Sequence, residues 1–302
     1  MSNLKSWVNA ARLRTLPLSI SGILVGTGIA SLYTTIDYLV FTLAIFTTVG
    51  FQVTSNFAND YGDGVKGTDN ENRIGPKRAL QSGLFSRKTL KRGIIVSIII
   101  DVLLVIALLY FAFGVDNLFL SLLFLVLGGL SIWAAINYTI GNKAYGYRGL
   151  GDVFVFIFFG LVGVLGSLFL FIKTVPLTAV FPAISVGLLS VGVLNLNNLR
   201  DVVSDKESGK NTVVVKMGFE NGKQYHTILL VVSFLAISIF TFLNYRHFSQ
   251  LICLVAFIPI FSHLSFVRKN TSPKLLDPEL KKLALSTFLM AVLFYISYLY
   301  FL

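Results

Sequence analysis

Two stretches of the 302-residue chain collect the residue types that divalent-metal and phosphate chemistry needs. In the first, Asn56, Asn59, Asp60 and Asp63 close an apolar run, and Asp69 and Glu71 follow in the loop. On a helix, Asn56 and Asp60 lie one turn apart on one face, and Asn59 and Asp63 do the same on the neighbouring face. In the second, Asn197, Asn198, Arg200, Asp201 and Asp205 end another apolar run. Asn197, Asp201 and Asp205 follow one another at four-residue steps and form a single stripe. Unpaired carboxylates at close quarters repel one another and resist desolvation. Mg²⁺ relieves both problems, because it takes oxygen ligands, commonly one or two carboxylates completed by waters and substrate phosphates. Cations follow each cluster: Arg73, Lys77 and Arg78 after the first, and Lys206, Lys210 and Lys216 after the second, which also contains Arg200. A guanidinium forks onto phosphate oxygens and an ammonium acts as a point charge. Acids with bases beside them fit a metal-diphosphate site, whereas acids alone would suit a cation path.

The elements that must position these residues are membrane helices. The chain is 55% hydrophobic and only 13% charged, against about a quarter charged in soluble domains. Nine long runs, near 15–36, 38–59, 93–115, 117–142, 153–172, 174–199, 226–245, 247–267 and 283–302, are uncharged apart from Asp101 in the third. Each matches the ~20 apolar residues that cross a bilayer. Runs of that length, apolar on all sides, read as an all-α bundle and exclude an outer-membrane barrel, whose strands alternate over ~10 residues. No cleavage site of signal-peptide type follows the first run. The single Cys253 excludes an internal disulfide and a thiolate cluster. The whole chain, 1–302, reads as one domain.

Charge sets the orientation. Of the 25 Lys and Arg residues, all but Lys173 and Arg246 fall on one side if the spans alternate. Cytoplasmic loops are the basic ones, so the N-terminus and the long loops are expected in the cytoplasm and the C-terminus on the outer side. A net charge of +11 dealt out by loop in this way argues against nucleic-acid binding. Asp101 lies mid-span away from both clusters, which suits a structural hydrogen bond. The three histidines lack ligand spacing and read as packing or interfacial residues. Gly22-x-x-x-Gly26-x-Gly28 and Gly160-x-x-Gly163-x-x-Gly166 allow helices to approach closely.

Asn59-Asp60-x-x-Asp63 with Asp69 resembles the first motif of the UbiA-type intramembrane prenyltransferases, and Asn198-x-Arg200-Asp201-x-x-x-Asp205 resembles the second. The resemblance extends over essentially the whole chain. Within that group, the stretch from Asn59 through Arg73-Ile74-Gly75-Pro76-x-Arg78 is similar to 1,4-dihydroxy-2-naphthoate polyprenyltransferases of menaquinone synthesis. So are Tyr147-Arg148-Gly149-Leu150-Gly151-Asp152 and Arg12-x-Arg14-Thr15-x-Pro17. Five residues separate Asp63 from Asp69 where the common pattern has three, and the longer spacing suits the naphthoate branch.

The resemblance implies a nine-helix bundle around a central cavity, open to the cytoplasmic side and laterally to lipid. It also implies two Mg²⁺ ions between the motifs and an isoprenoid diphosphate as donor. The expected metal ligands are Asp60, Asp63, Asp69, Asp201 and Asp205, four of which (Asp69 apart) are also the expected catalytic residues. Asn56, Asn59, Arg73, Lys77, Arg78, Asn198, Arg200 and Lys210 are expected around the diphosphate. A third loop brings Tyr138, Lys143, Tyr147, Arg148 and Asp152 to donor or acceptor, with Arg148 the candidate partner of the acceptor carboxylate. Arg14 is a further candidate from the N-terminal segment. The expected partners are a polyprenyl diphosphate, 1,4-dihydroxy-2-naphthoate and membrane lipids, with no obligatory protein partner. Prenyl transfer to 4-hydroxybenzoate, homogentisate or a porphyrin is the nearest alternative. An ion-coupled transporter is more remote, since transporters hold coupling ions near the bilayer midplane and these acids end helices.

Overall fold

The computed structural model describes residues 4–69, 74–75 and 77–300. Its helices are α1 Leu4–Ala11, α2 Leu16–Ala30, α3 Tyr38–Lys66, α4 Arg87–Phe113, α5 Leu118–Asn137, α6 Gly151–Val155 and α7 Ser167–Ile172. They continue as α8 Val180–Arg200, α9 Val202–Glu207, α10 Val213–Met217, α11 Phe219–Leu243, α12 Phe257–Lys269 and α13 Asp277–Tyr300. A π-helical wind over Phe156–Gly166 joins α6 and α7 into one rod. Among the described residues, nine helical units are long and apolar enough to cross a membrane, and none of the chain forms a strand. The number of spans therefore agrees with the nine apolar runs.

The first span departs from the expected 15–36. Helix begins at Leu4, breaks at Arg12, resumes at Leu16 and stops at Ala30. Pro17 has no N–H to continue the α1 ladder, so it starts a new helix instead. Arg12 takes a left-handed conformation, φ 52°, at the break. α3 runs on through the first acid cluster to Lys66 and ends on Gly67 at φ 75°, where a side chain would be strained. Asp37 opens this helix by accepting from the Leu39 N–H at 2.8 Å and the Val40 N–H at 3.2 Å.

α8 packs on α11, α13 and the π segment, α2 packs on α13 and the π segment, and α3 packs on α4. The main core lies among α8, α11, α12 and α13, where Phe240, Phe257, Phe294 and Tyr298 are buried. By contrast, α4 and α5 present Ile95, Ile99, Leu103, Leu122 and Val126 outward, as a lipid-facing surface requires. Asp101 is fully buried and accepts a hydrogen bond from Thr54 Oγ1 at 2.6 Å, so it fastens α4 to α3.

The glycine stripes are contact surfaces. A Cβ on Gly26 would overlap Ser167 Oγ and the Val164 carbonyl, and one on Gly160 would sit 2.7 Å from the Ala183 carbonyl. Gly129 on α5 has nothing within 4 Å of a built Cβ. Gly26→Ala is accordingly expected to cost about 1–3 kcal/mol through overpacking. Gly129→Ala should be neutral or gain up to ~1 kcal/mol from helix propensity. Thermal unfolding of the two variants in detergent measures the difference, and equal midpoints would contradict the close α2–α7 approach.

Candidate active site

Each residue along a helix turns the side chain by about 100°, so the four polar residues of α3 cannot all face one way. Asp63 and Asn59 line a cavity of about 650 Å³, together with Arg78, Tyr138, Asn197, Arg200 and Lys210. Asp63 Oδ1 accepts from Tyr147 Oη at 2.8 Å, and Thr139 Oγ1 donates to Asn59 Oδ1 at 3.3 Å. Asp60 is turned toward the following loop and accepts the N–H of Ala79 at 3.0 Å and of Leu80 at 3.5 Å. Asn56 faces the break in the first span: its Nδ2 donates to the Ala11 carbonyl at 2.8 Å and to Thr15 Oγ1 at 3.1 Å. Gln52 Nε2 donates to its Oδ1 at 3.2 Å. With both ends of the amide used, Asn56 holds the N-terminal segment against α3 and does not reach the diphosphate position expected of it.

Asp69 is buried with Arg78 Nε 3.7 Å from its Oδ1. Among the described residues, the buried Nη1 of Arg78 has no hydrogen-bond partner. Arg78 therefore brings to the cavity a guanidinium shared with Asp69. Lys77 is exposed away from the cavity lining, because the loop turns its side chain outward. Arg73 lies outside the described residues.

The second cluster straddles a helix junction. Asp201 sits between α8 and α9, but the Asp201 N–H still bonds the Asn197 carbonyl and the Asp205 N–H bonds the Asp201 carbonyl at 2.8 Å. The four-residue stripe therefore survives the junction. Four of the five N–H groups of Arg200 are taken by protein. Its Nε donates to Asp201 Oδ1 at 2.8 Å, its Nη2 donates to Asp201 Oδ2 at 2.6 Å and to Asn197 Oδ1 at 2.9 Å, and its Nη1 donates to Asp277 Oδ1 at 2.7 Å. This guanidinium organises Asp201 and also lines the cavity. Lys210 is different: it is buried, lines the cavity and lies 3.9 Å from Asp205 Oδ1. Burial alone would lower its pKa, but the carboxylates of Asp63 and Asp205 outweigh it and hold Lys210 above the ordinary lysine range.

The third loop is partly where the sequence suggests. Tyr147 bonds Asp63, meets Thr68 Oγ1 at 2.5 Å, and carries Lys66 Nζ 3.9 Å from its ring centre. Its backbone carbonyl accepts the Asn211 N–H at 3.0 Å, so Tyr147 ties the first cluster to the loop after the second. Burial pushes the Tyr138 hydroxyl up to about 12. Asp152 is buried and accepts from Tyr225 Oη at 3.0 Å, off the cavity wall. Lys143 and Arg148 are exposed and outside the lining. The Arg148 carbonyl is held by Lys216 Nζ at 2.9 Å, which fixes its backbone and leaves its side chain pointing into solvent. Arg148, the candidate partner of the acceptor carboxylate, thus lies off the cavity lining.

Arg14, the N-terminal candidate, lines the cavity, and so does Arg12, to which the sequence reading gave no role there. Arg12 also places its charge near the Asp60 carboxylate and donates to the Asn56 carbonyl at 3.4 Å. Asp277 opens the last helix more than 70 residues after Arg200, where the sequence signals only a favourable acid at a helix start. The histidines are also more than packing. His226 Nε2 lies 3.0 Å from His263 Nε2, His263 Nδ1 lies 2.5 Å from Glu279 Oε2, and Asn195 Nδ2 lies 3.3 Å from His226 Nδ1. This chain crosses α8, α11, α12 and α13 behind the second cluster and pins the turn that carries Asp277. Deeper in the cavity, Phe51, Leu108, Phe124, Phe158 and Phe159 make an apolar wall.

The donor set fits a hard divalent cation. Among the described residues, Asp205 Oδ2 and Asn198 Oδ1 are buried without hydrogen-bond partners, a costly state unless a ligand satisfies them. Among the described residues, no three His, Cys, Asp or Glu side chains converge closely enough to enclose an ion by themselves. Mg²⁺ bound by fewer carboxylates completes its shell with water and phosphate. Burial pushes Asp205 up to about 6, against the pull of Lys210. A raised carboxylate stabilises the metal-free fold below its unfolded pKa, near 3.8, and that contribution is lost as pH climbs through about 6. Asp205→Asn should therefore raise the metal-free stability at pH 7 by as much as about 3 kcal/mol and flatten its pH dependence. Mg²⁺ should stabilise the parent chain more at pH 7 than at pH 5. Unfolding midpoints across pH 4–8, with EDTA and with Mg²⁺, test both, and a flat parent profile would contradict the buried carboxylate.

Residues 19–276 match the model of the UbiA prenyltransferase family. The 1,4-dihydroxy-2-naphthoate octaprenyltransferase of Escherichia coli K12 is 40% identical over 294 residues, covering 97% of this chain and 95% of that protein. The 1,4-dihydroxy-2-naphthoate octaprenyltransferase of Haemophilus influenzae is 40% identical over 293 residues, covering 96% and 94%. A UbiA homologue from Archaeoglobus fulgidus, solved with DMAPP and Mg²⁺, superposes with a TM-score of 0.70 over 98% of this chain and 100% of its own, at 14% identity. At that identity the likeness concerns the fold.

Proposed function

Because this chain belongs to the UbiA prenyltransferase family, we propose that it transfers a polyprenyl group from its diphosphate to 1,4-dihydroxy-2-naphthoate, with loss of CO₂ and diphosphate, to give demethylmenaquinol. The observation that carries this reading is the 40% identity to two naphthoate octaprenyltransferases across almost the whole chain. The protein is accordingly a multi-pass bacterial membrane enzyme of menaquinone synthesis. The excess of Lys and Arg in the long loops supports a cytoplasmic N-terminus, cytoplasmic acid clusters and a C-terminus on the outer side. A single domain spans 1–302.

The residues divide the work as follows. Asp60, Asp63, Asp69, Asp201 and Asp205 would hold two Mg²⁺ ions, with Asn59 and Asn198 beside them. When bound, Mg²⁺ supplies Lewis-acid neutralisation of the departing diphosphate. Lys210 and Arg78 take diphosphate oxygens, since both line the cavity with charge directed into it. Tyr147 orients Asp63 through its hydroxyl. Arg200 holds both oxygens of Asp201. The Phe-lined wall accepts the isoprenoid tail, excludes water and presents ring faces to an allylic cation.

Purified protein in detergent, given octaprenyl diphosphate and 1,4-dihydroxy-2-naphthoate, should form prenylated product and CO₂ with Mg²⁺ and neither with EDTA. Prenylation of 4-hydroxybenzoate in preference to the naphthoate would overturn the acceptor. Failure to turn over any aromatic acceptor by folded protein would overturn the reaction.

A further inference from the structure

A second pocket, outside the site just described, lies between α1, α3 and α4 at the end of the bundle that carries the acid clusters. Its volume is about 430 Å³, and its walls include Trp7, Val53, Phe57, Arg92, Val96 and Ile100. Arg92, Val96 and Ile100 follow at four-residue steps, so a charged rim leads into an apolar stripe along one face of α4. Trp7 covers the opposite side. It rests on Gly93, where any Cβ would strike its ring, and it packs against Phe57 at 5.4 Å and Phe85 at 4.3 Å between centroids.

The rim is strongly basic. Arg87, Lys88, Lys91 and Arg92 occupy the first six residues of α4, all exposed, and no ion pair engages any of them among the described residues. A cluster of four unpaired cations at the head of a membrane helix attracts an anionic headgroup. A groove with a cationic mouth and an apolar stem has the chemistry of one lipid molecule, headgroup above and acyl chain below. The geometry points to a binding site for an anionic glycerophospholipid, its phosphate at Arg92 and Lys88 and one acyl chain along Val96 and Ile100 under Trp7.

The site adjoins the catalytic apparatus. Phe57 and Val53, which form its floor, belong to α3, and Phe57 stands one turn before Asp60 and two before Asp63. An acyl chain seated there braces the helix that presents the first acid cluster.

Tryptophan quenching tests this directly. The chain has two tryptophans, so Trp133→Phe leaves Trp7 as the reporter. In phosphatidylcholine vesicles, dibrominated phosphatidylglycerol should quench Trp7 at a mole fraction roughly fivefold lower than dibrominated phosphatidylcholine does, the weight of about one basic residue near an anionic headgroup. Lys88→Gln with Arg92→Gln should bring the two curves together. Lys269→Gln with Lys274→Gln, which removes two exposed cations elsewhere, should leave the preference unchanged. Coincident curves in the parent would reduce the pocket to ordinary annular lipid and overturn the proposal. Equal loss in the control pair, or relief of quenching by octaprenyl diphosphate at matched mole fraction, would overturn it too.

Discussion

Asp63→Asn should lower kcat/KM by about 10²–10³-fold, the usual loss when one preorganised electrostatic contact to a transition state is removed, while the protein stays folded. Among the expected acidic ligands, Asp63 lines the cavity, and Lys210 and Asp205 lie within electrostatic reach of it. Its amide replacement keeps shape and the Tyr147 hydrogen bond but gives up the charge. The rate should fall without a matching rise in naphthoate KM, and more Mg²⁺ should be needed for half-maximal turnover. Asp60→Asn makes a useful contrast. Its carboxylate accepts the N–H groups of Ala79 and Leu80, so this variant should lose stability as well as activity. Steady-state kinetics and thermal unfolding of the pair separate the two effects. Near-parental turnover by Asp63→Asn would remove Asp63 from the proposed machinery.

Arg200→Met should destabilise the protein by about 3–5 kcal/mol, the cost of leaving a buried charge without its partner. Arg200 binds both oxygens of the buried Asp201 and reaches across to Asp277 and Asn197. A residue that serves only as a diphosphate ligand would behave differently, with donor KM rising and the unfolding midpoint unchanged. Asp277→Asn should have a smaller effect of the same kind, about 1.5–3 kcal/mol for a charge-assisted hydrogen bond, because Asp277 is partly exposed and Arg200 keeps Asp201. Arg200→Met with an unchanged midpoint would refute the positioning role, and a double variant with Asp201→Asn should recover part of the loss, since the orphaned charge is then gone.

Much of this site could be read along the chain because its parts are short-range. Asn59 and Asp63 share a helical face at a four-residue step, and both reach the cavity. The Asn197, Asp201, Asp205 stripe holds because hydrogen bonds at the same step carry through the α8–α9 junction. Other residues chosen by type and spacing lie off the cavity for equally physical reasons. Asn56 has the right type and spacing, but helical rotation turns it toward the N-terminal break, where Ala11 and Thr15 take its amide. Lys143 and Arg148 lie in the expected loop, but their exposed side chains lie off the cavity lining.

The sequence by itself determined the nine membrane helices, the end of the bundle that carries charge, and the two acid clusters. These follow from the cost of charge in hydrocarbon and from the helical repeat, both local properties of the chain. Only the tertiary structure decided which carboxylate lines the cavity, that Arg200 bonds both Asp201 and Asp277, and that Arg12 shares the site. Those outcomes depend on which faces of α2, α3, α8 and α13 meet. Helix contact is set by close-approach glycines and buried polar links such as His226–His263–Glu279, whose partners lie tens to hundreds of residues apart. No spacing rule reaches that far, because packing rather than the helical repeat fixes the rotation of one helix against another.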